Sequence, residues 1–344
     1  EKTMRMTKRI PDFNYLVKVL KREPTDRPVM FEFILGEEKE KLLVGKTYDV
    51  STDLNRNITR IKAFTNAGYD HCPILIKGAE FPRKLDEHEN VQTKSLNAGS
   101  TIIDRDSFLR YQWPDVSNCD FSLIAKAGKF LEGNMKFIPY SYDGILENAI
   151  GIVGYENLCY MLYDDEDLFA DIFEKIGSIT MEYFEKCLEY DEVGAILCND
   201  DWGFNSQTML PPHVLRKYVF PWYQKIVKSA HDKGRLAIVH SCGYYHDIID
   251  DMVDMIQFDG KHSFEDNIYP VEKAYQDLKD RIAILGGLDM NFLTYKNSEE
   301  VYQRSKKMLA LTKQGGYALG SGNSIPDYVP DENYLAMLRA GIEK

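Results

Sequence analysis

Short apolar runs separated by amphipathic stretches set the rhythm of this chain. Val, Ile and Phe cluster at PVMFEFI (28–34), DHCPILI (70–76), MKFIPYS (135–141), VGAILC (193–198), LAIVHS (236–241), MIQFDG (255–260), IAILGG (282–287) and GYALGS (316–321). Runs of this length without polar alternation predict strands buried on both faces, the situation of a parallel sheet. Between many of them the apolar spacing changes to three and four. In HVLRKYVFPWYQKIVKSAHDKG, Leu215, Val219, Trp222, Ile226 and Ala230 mark one helical face, Gly234 ends it, and Pro221 predicts a kink. Eight runs alternating with helices predict an α/β fold of the (β/α)8 TIM barrel type. A doubly wound sheet fits less well, because no glycine-rich nucleotide fingerprint follows the first strand. A stretch from about 78 to 134 breaks the rhythm as an insertion, and a helical extension precedes the first run. With no linker, repeat or low-complexity tract, residues 1–344 read as one domain.

Composition narrows the partners. The chain of 344 residues carries a formal net charge of −12 and no long basic cluster. That speaks against nucleic acid, whose affinity rests on Lys and Arg neutralising phosphates. No apolar run reaches the roughly 18 residues of a membrane span, and the opening EKTMRMTKRIPDF has no hydrophobic signal centre. A cytoplasmic protein without membrane attachment is expected. Six cysteines spread between Cys72 and Cys242 make no disulfide framework for a chain of this size, so reduced thiols are expected. A homodimer is the default expectation for assembly.

In a barrel, residues just past the carboxyl end of a strand face the mouth where chemistry occurs. His240 and Cys242, in HSCG, lie two apart at such an edge. On an extended segment both side chains point the same way, so one ion can meet imidazole and thiolate together, a donor pair that zinc accepts. Glu265, 23 residues beyond Cys242, is the nearest third donor at the next strand end. The pair reads as well as a core thiol beside a hydrogen-bonded histidine. Asp200 and Asp201 suit acid–base work or a cationic group, against a helix cap and a solvated neighbour. Trp202 suits one wall of an aromatic cage, or plain packing. Lys261 and His262 suit an anion contact, acid–base work or tuning of Glu265, or else form a surface pair. Tyr140 and Asp289 are further mouth-facing candidates for substrate contact, whereas His246 reads as a capping or surface residue.

HSCG, the downstream LGGLD and the closing YALGSGNSIPDYVPDENYLAML resemble the uroporphyrinogen decarboxylase superfamily, in particular its corrinoid-linked methyltransferase branch, over nearly the whole chain. The resemblance implies a (β/α)8 barrel and a zinc ion that holds an acceptor thiol as thiolate, with His240 and Cys242 as ligands. Where that branch has a distal Cys, this chain has Asn323, in LGSGN. The more distant cobalamin-independent methionine synthases are similar in placing a Glu after His-x-Cys, which implies Glu265 as third ligand. The fourth position is left to substrate, water or Asn323. A methyl group would then pass between a loosely bound corrinoid, methylcobalamin or a corrinoid protein docked at the mouth, and a small-molecule thiol, folate or methylated substrate. Two other outcomes stay open: a decarboxylase or lyase of a small acid, with Asp200 or Asp201 carrying the proton, and a non-catalytic binding descendant. Porphyrinogen decarboxylation fits poorly, since MFEFILGEEKEK offers acids where those enzymes hold substrate carboxylates with arginines. Ser321 also stands where they have a late histidine, and it joins Asn323 as a candidate for substrate contact.

Overall fold

Seven parallel strands follow one another around a ring in the computed structural model, which describes residues 3–84, 96–97 and 100–343. They are β1 (His71–Leu75), β2 (Lys136–Tyr140), β3 (Ala195–Asn199), β4 (Leu236–His240), β5 (Gly260–His262), β6 (Ala283–Leu285) and β7 (Tyr317–Ala318). β1 pairs with β2, and β3 through β7 pair in chain order. A bridge between Phe137 and Val193 joins the two sets. The first apolar run supplies the eighth stave. It docks on β7 through Phe31 N–H to the Leu319 carbonyl and Leu319 N–H to the Val29 carbonyl, both 2.8 Å. It forms bridges and not a full strand, and toward β1 a side chain makes the contact: His71 Nε2 lies 2.9 Å from the Glu32 carbonyl oxygen. The fold is the (β/α)8 TIM barrel that the hydrophobic rhythm predicts.

Strand alternation sorts the side chains between lumen and helices. Phe31, Phe33, Ile138, Ala195, Leu197, Ile238, Ala283, Leu285 and Ala318 form one buried cluster inside the ring. Their neighbours Cys72, Ile74, Phe137, Ile196, Cys198, Val239 and Ile284 pack with the helices in a larger outer cluster. Helix Asn14–Leu20 plugs the base, adding Leu16, Val19 and Leu20 to the inner cluster, with Phe13 just before it. The fit is close enough that a Cβ on Gly260 would sit 2.6 Å from Leu20 Cδ2.

Two local expectations change. The sixth run predicts a strand over 255–260, but Asp251–Met255 form a π-helical turn and β5 starts only at Gly260. Lys261 and His262 therefore lie within a strand, not beyond its end, and alternation sends Lys261 outward and His262 into the lumen. Pro221 does more than kink: helix Pro212–Tyr218 stops and helix Phe220–Asp232 begins, with the proline in its first turn where no N–H is needed. Between β1 and β2 the chain forms helices Arg105–Arg110 and Ser122–Gly128. Residues 85–95 and 98–99 of the stretch expected as an insertion lie outside the described residues. The six cysteines are unpaired, and among the described residues no helix is long and apolar enough to cross a membrane.

Candidate active site at the barrel mouth

β4 ends at His240, and the turn that follows is folded back by Gly243, whose φ of +87° few side chains tolerate. A Cβ there would also lie 2.0 Å from the Gly203 carbonyl oxygen, so the HSCG turn packs directly on the loop after β3. That contact brings the Cys242 N–H to Asp201 Oδ1 at 2.8 Å. Asp201, His240 and Cys242 consequently offer one ligand atom each within 4.8 Å of one another, and among the described residues they form the one such cluster of three. They open into a cavity of about 320 Å³ at the strand ends, walled by Phe33, Tyr140 and Tyr142 and further lined by Asp143, Glu147, Asn199 and Asn323. A cleft of about 410 Å³ at the base, lined by Val19, Arg27 and Tyr317, is larger but holds none of these ligand atoms.

The sulfur is surrounded by donors. Ser263 Oγ donates to Cys242 Sγ at 3.1 Å and Asn323 Nδ2 at 3.2 Å, and His240 Nε2 lies 3.7 Å away. Ser263 adopts a φ of +80°, an uncommon conformation for a non-glycine residue, and it is held there by Lys261 Nζ on its carbonyl at 2.7 Å. Two donors aimed at one sulfur suit a thiolate. Yet burial and the nearby Asp201 push the Cys242 thiol well above its ordinary pKa, while burial pushes His240 down to about 3. A neutral imidazole, a carboxylate and a thiol whose ionised form Ser263 and Asn323 would support make a donor set that fits a divalent zinc ion.

Asp200 and Asp201 take different parts. Asp200 is fully buried and accepts from Leu146 N–H, Glu147 N–H, Trp202 Nε1 and the Tyr223 hydroxyl at 2.9, 3.0, 2.8 and 2.9 Å. It caps helix Ile145–Val153 from across the fold, and burial still raises its pKa to about 7. The expectation of a mouth-facing Asp200 is corrected on that ground. Trp202 is corrected with it: its ring is fully buried against Phe220 and Tyr223 and forms no cage wall. Asp201 faces the cavity, its N–H held by Glu147 Oε1 at 2.7 Å.

The remaining candidates divide between the cavity and its supports. Glu265 is half-buried, within electrostatic reach of Cys242 and Lys261 but outside the trio, where Asp201 supplies the carboxylate. Lys261 is no surface residue. It is fully buried beneath the rings of Tyr245 and Phe264, and desolvation lowers its pKa to about 7. His262 is equally buried and meets His240, Nδ1 to Nδ1, at 2.7 Å, so its reach is to a neighbouring ring and not to the cavity. Asp289 caps helix Met290–Tyr295 and receives the Asp266 N–H, which leaves it structural. Ser321 is buried against Glu32. His246 is exposed and stacks on Tyr245. Tyr140 and Asn323 do line the cavity. Phe33, Asp143, Glu147 and Ser263 went unnoticed in the sequence. Asp143 and Glu147 follow the third run directly, where their position past a strand end was the available signal.

Comparison with known proteins comes to the same fold. The model of the family described as uroporphyrinogen decarboxylase (URO-D) matches residues 144–343. A uroporphyrinogen decarboxylase from a Geobacter species is 25% identical over 205 residues, which are 58% of this chain and 56% of that protein. One from Citrifermentans bemidjiense has the same identity and extent. The match thus spans just over half the length of these curated relatives. Among solved structures, a methyltransferase from Methanosarcina mazei superposes with a TM-score of 0.69 at 17% identity, covering 99% of this chain and 98% of the other. A putative vitamin B12-independent methionine synthase from Listeria monocytogenes gives 0.53 at 11%, covering 93% and 96%. At these identities the likeness is one of fold.

Proposed function

The chain belongs to the uroporphyrinogen decarboxylase family, and from that premise we propose that it is a zinc-dependent methyltransferase acting between a corrinoid and a small substrate bound at the barrel mouth. The observation that carries the reading is the convergence of Asp201, His240 and Cys242 ligand atoms within 4.8 Å at the edge of the cavity. These three residues would hold the metal, which when bound supplies the Lewis acidity that keeps a thiol or comparable acceptor deprotonated at neutral pH. The chain's own part is binding and orientation. Ser263 and Asn323 stabilise negative charge on Cys242 Sγ, Glu147 fixes the backbone of Asp201, and Phe33 and Tyr140, packed edge to face at 4.9 Å, make a dry wall for the methyl group. A corrinoid, free or carried by a docking protein, would supply the methyl-transfer chemistry when bound.

The charge of the lining bears on the substrate. Asp143, Glu147 and Asp201 line the cavity and, among the described residues, no Lys or Arg does, although Arg83 pairs with Asp143 at 2.7 Å. Burial and the neighbouring acids raise the pKa of Glu147 and Asp201, so these groups favour a neutral or cationic methylated compound and offer no positive charge to a polycarboxylate of the porphyrinogen kind. The family relationship keeps decarboxylation as the second reading, with Asp201 the carboxylate open to a substrate. Metal analysis of the purified protein, and of Asp201→Ala, Cys242→Ala and Glu265→Ala, tests the first: stoichiometric zinc in the wild type should vanish from the first two variants. A wild type that takes up no zinc removes the proposal. Loss of the methylcobalamin absorption band on adding a thiol or methylated amine separates methyl transfer from release of carbon dioxide.

A further inference from the structure

We propose that His262 is a positioning residue: it sets the tautomer of His240 so that an unprotonated Nε2 faces Cys242 and the cavity. The inference rests on the metal reading for its purpose, but its geometry stands on the protein alone.

The contact between His240 Nδ1 and His262 Nδ1 is 2.7 Å long and admits one proton. Which ring owns it is decided at the far side of His262. There Nε2 lies 3.2 Å from the Ser321 carbonyl oxygen, a group that can only accept. His262 must therefore carry its hydrogen on Nε2. A neutral ring protonated there is bare at Nδ1, so the proton in the shared contact belongs to His240 Nδ1 and leaves its Nε2 bare, 3.7 Å from the Cys242 sulfur. Neutrality follows from surroundings: His262 is fully buried, His240 is 6% exposed, and among the described residues neither ring has a carboxylate as hydrogen-bond partner. Phe31 and Phe33 hold the ring planes, with centroids 5.0 Å from His262 and 4.6 Å from His240.

The anchor is itself anchored. Ser321 donates its N–H to Glu32 Oε2 at 3.0 Å and its hydroxyl to Glu32 Oε1, which fixes the backbone that presents its carbonyl. A line of contacts thus runs from Glu32, on the outward face of the first stave, through Ser321 to His262 and His240 in the lumen. The opposite tautomer would set a bare nitrogen against a carbonyl oxygen in a dry interior and would aim an N–H at the metal-ligand cluster. Second partners of this kind hold ligating histidines in known metal sites, and their loss costs about 10–100-fold in affinity.

Ring-15N NMR of the metal-free protein reads the tautomers directly, with the two rings assigned by substitution. The expected result is Nδ1–H for His240 and Nε2–H for His262; the reverse, or a charged His262 at neutral pH, overturns the proposal. Zinc affinity by chelator competition then tests the consequence. His262→Phe keeps the aromatic packing and removes both polar atoms, so binding should weaken by about 10–100-fold. His262→Gln can donate to Ser321 and accept from His240, and should stay near wild type. Unchanged affinity in the Phe variant, or equal loss in both, overturns it as well. Should His262→Phe not fold, the Gln variant and the spectrum decide. The spectrum needs no metal, so a protein that binds no zinc defeats the methyltransferase reading without touching the tautomer assignment.

Discussion

At the base of the lumen Phe13, Leu16 and Leu20 meet Ala195, Ala283 and Leu285 with no polar side-chain atom among them; at the mouth β4, β5 and the loops after β3 and β4 crowd His240, His262, Asp201 and Cys242 together. Burial works in opposite senses at the two ends. Each buried Leu or Phe at the base contributes about 1.5–3 kcal/mol toward folding. At the mouth, burial holds His240 far below its ordinary pKa and Cys242 far above its own. The base stabilises the barrel, while the mouth holds an imidazole and a thiol in their neutral forms, as burial demands of groups without a compensating charge.

Cutting at each end should separate these roles. Cys242→Ala should cost more than about 100-fold in zinc affinity, beyond the range seen for mere supporting residues, and shift the unfolding free energy of the metal-free protein by less than about 1 kcal/mol. Chelator competition and urea titration measure the two, and a large stability loss with zinc binding intact would reverse the assignment. At the base, Leu16→Ala should lose about 2–5 kcal/mol through the cavity it leaves, with zinc affinity unchanged; coupled loss of both would mean the two ends are one unit. Gly260→Ala, which drives a methyl toward Leu20, should cost about 1–3 kcal/mol in the same titration. A null effect there would mean that the plug helix gives way.

A pH dependence sharpens the picture at the seam. Burial pushes the Glu32 carboxyl up to about 8 from an ordinary 4.5. The folded chain then keeps a proton that the unfolded chain releases, so stability is full below about pH 4.5 and declines as pH rises toward 8. Glu32→Gln should flatten that decline. Melting temperatures at pH 5.5 and 8 in both proteins check it, and parallel shifts in the two would show that Glu32 is not the group responsible.

Much of the barrel was legible because a buried strand must be apolar and a helix must show one apolar face, and both periods are written locally. His240 and Cys242 were legible for a similar reason, being two apart at a strand end. Glu265 was not separable from Asp201 by that logic: both follow strand ends, and only the Gly203–Gly243 contact brings Asp201 to the Cys242 N–H. Lys261 and His262 were misplaced by a shift of strand boundary, since the strand begins only at Gly260, the last residue of the run that looked like one, after a π-helical turn that ends at Met255.

The sequence by itself determined the stave-and-helix order, the lack of a long basic run and the mouth location of HSCG, all properties of neighbours along the chain. Only the tertiary structure decided which of two adjacent aspartates turns to the cavity, that Ser263 and Asn323 point at one sulfur, and that Glu32 holds Ser321 across 289 positions. The reason is physical. Hydrophobic period follows from local geometry, whereas the rotation of a loop and the pairing of distant polar groups follow from how the staves pack, which has no local signature.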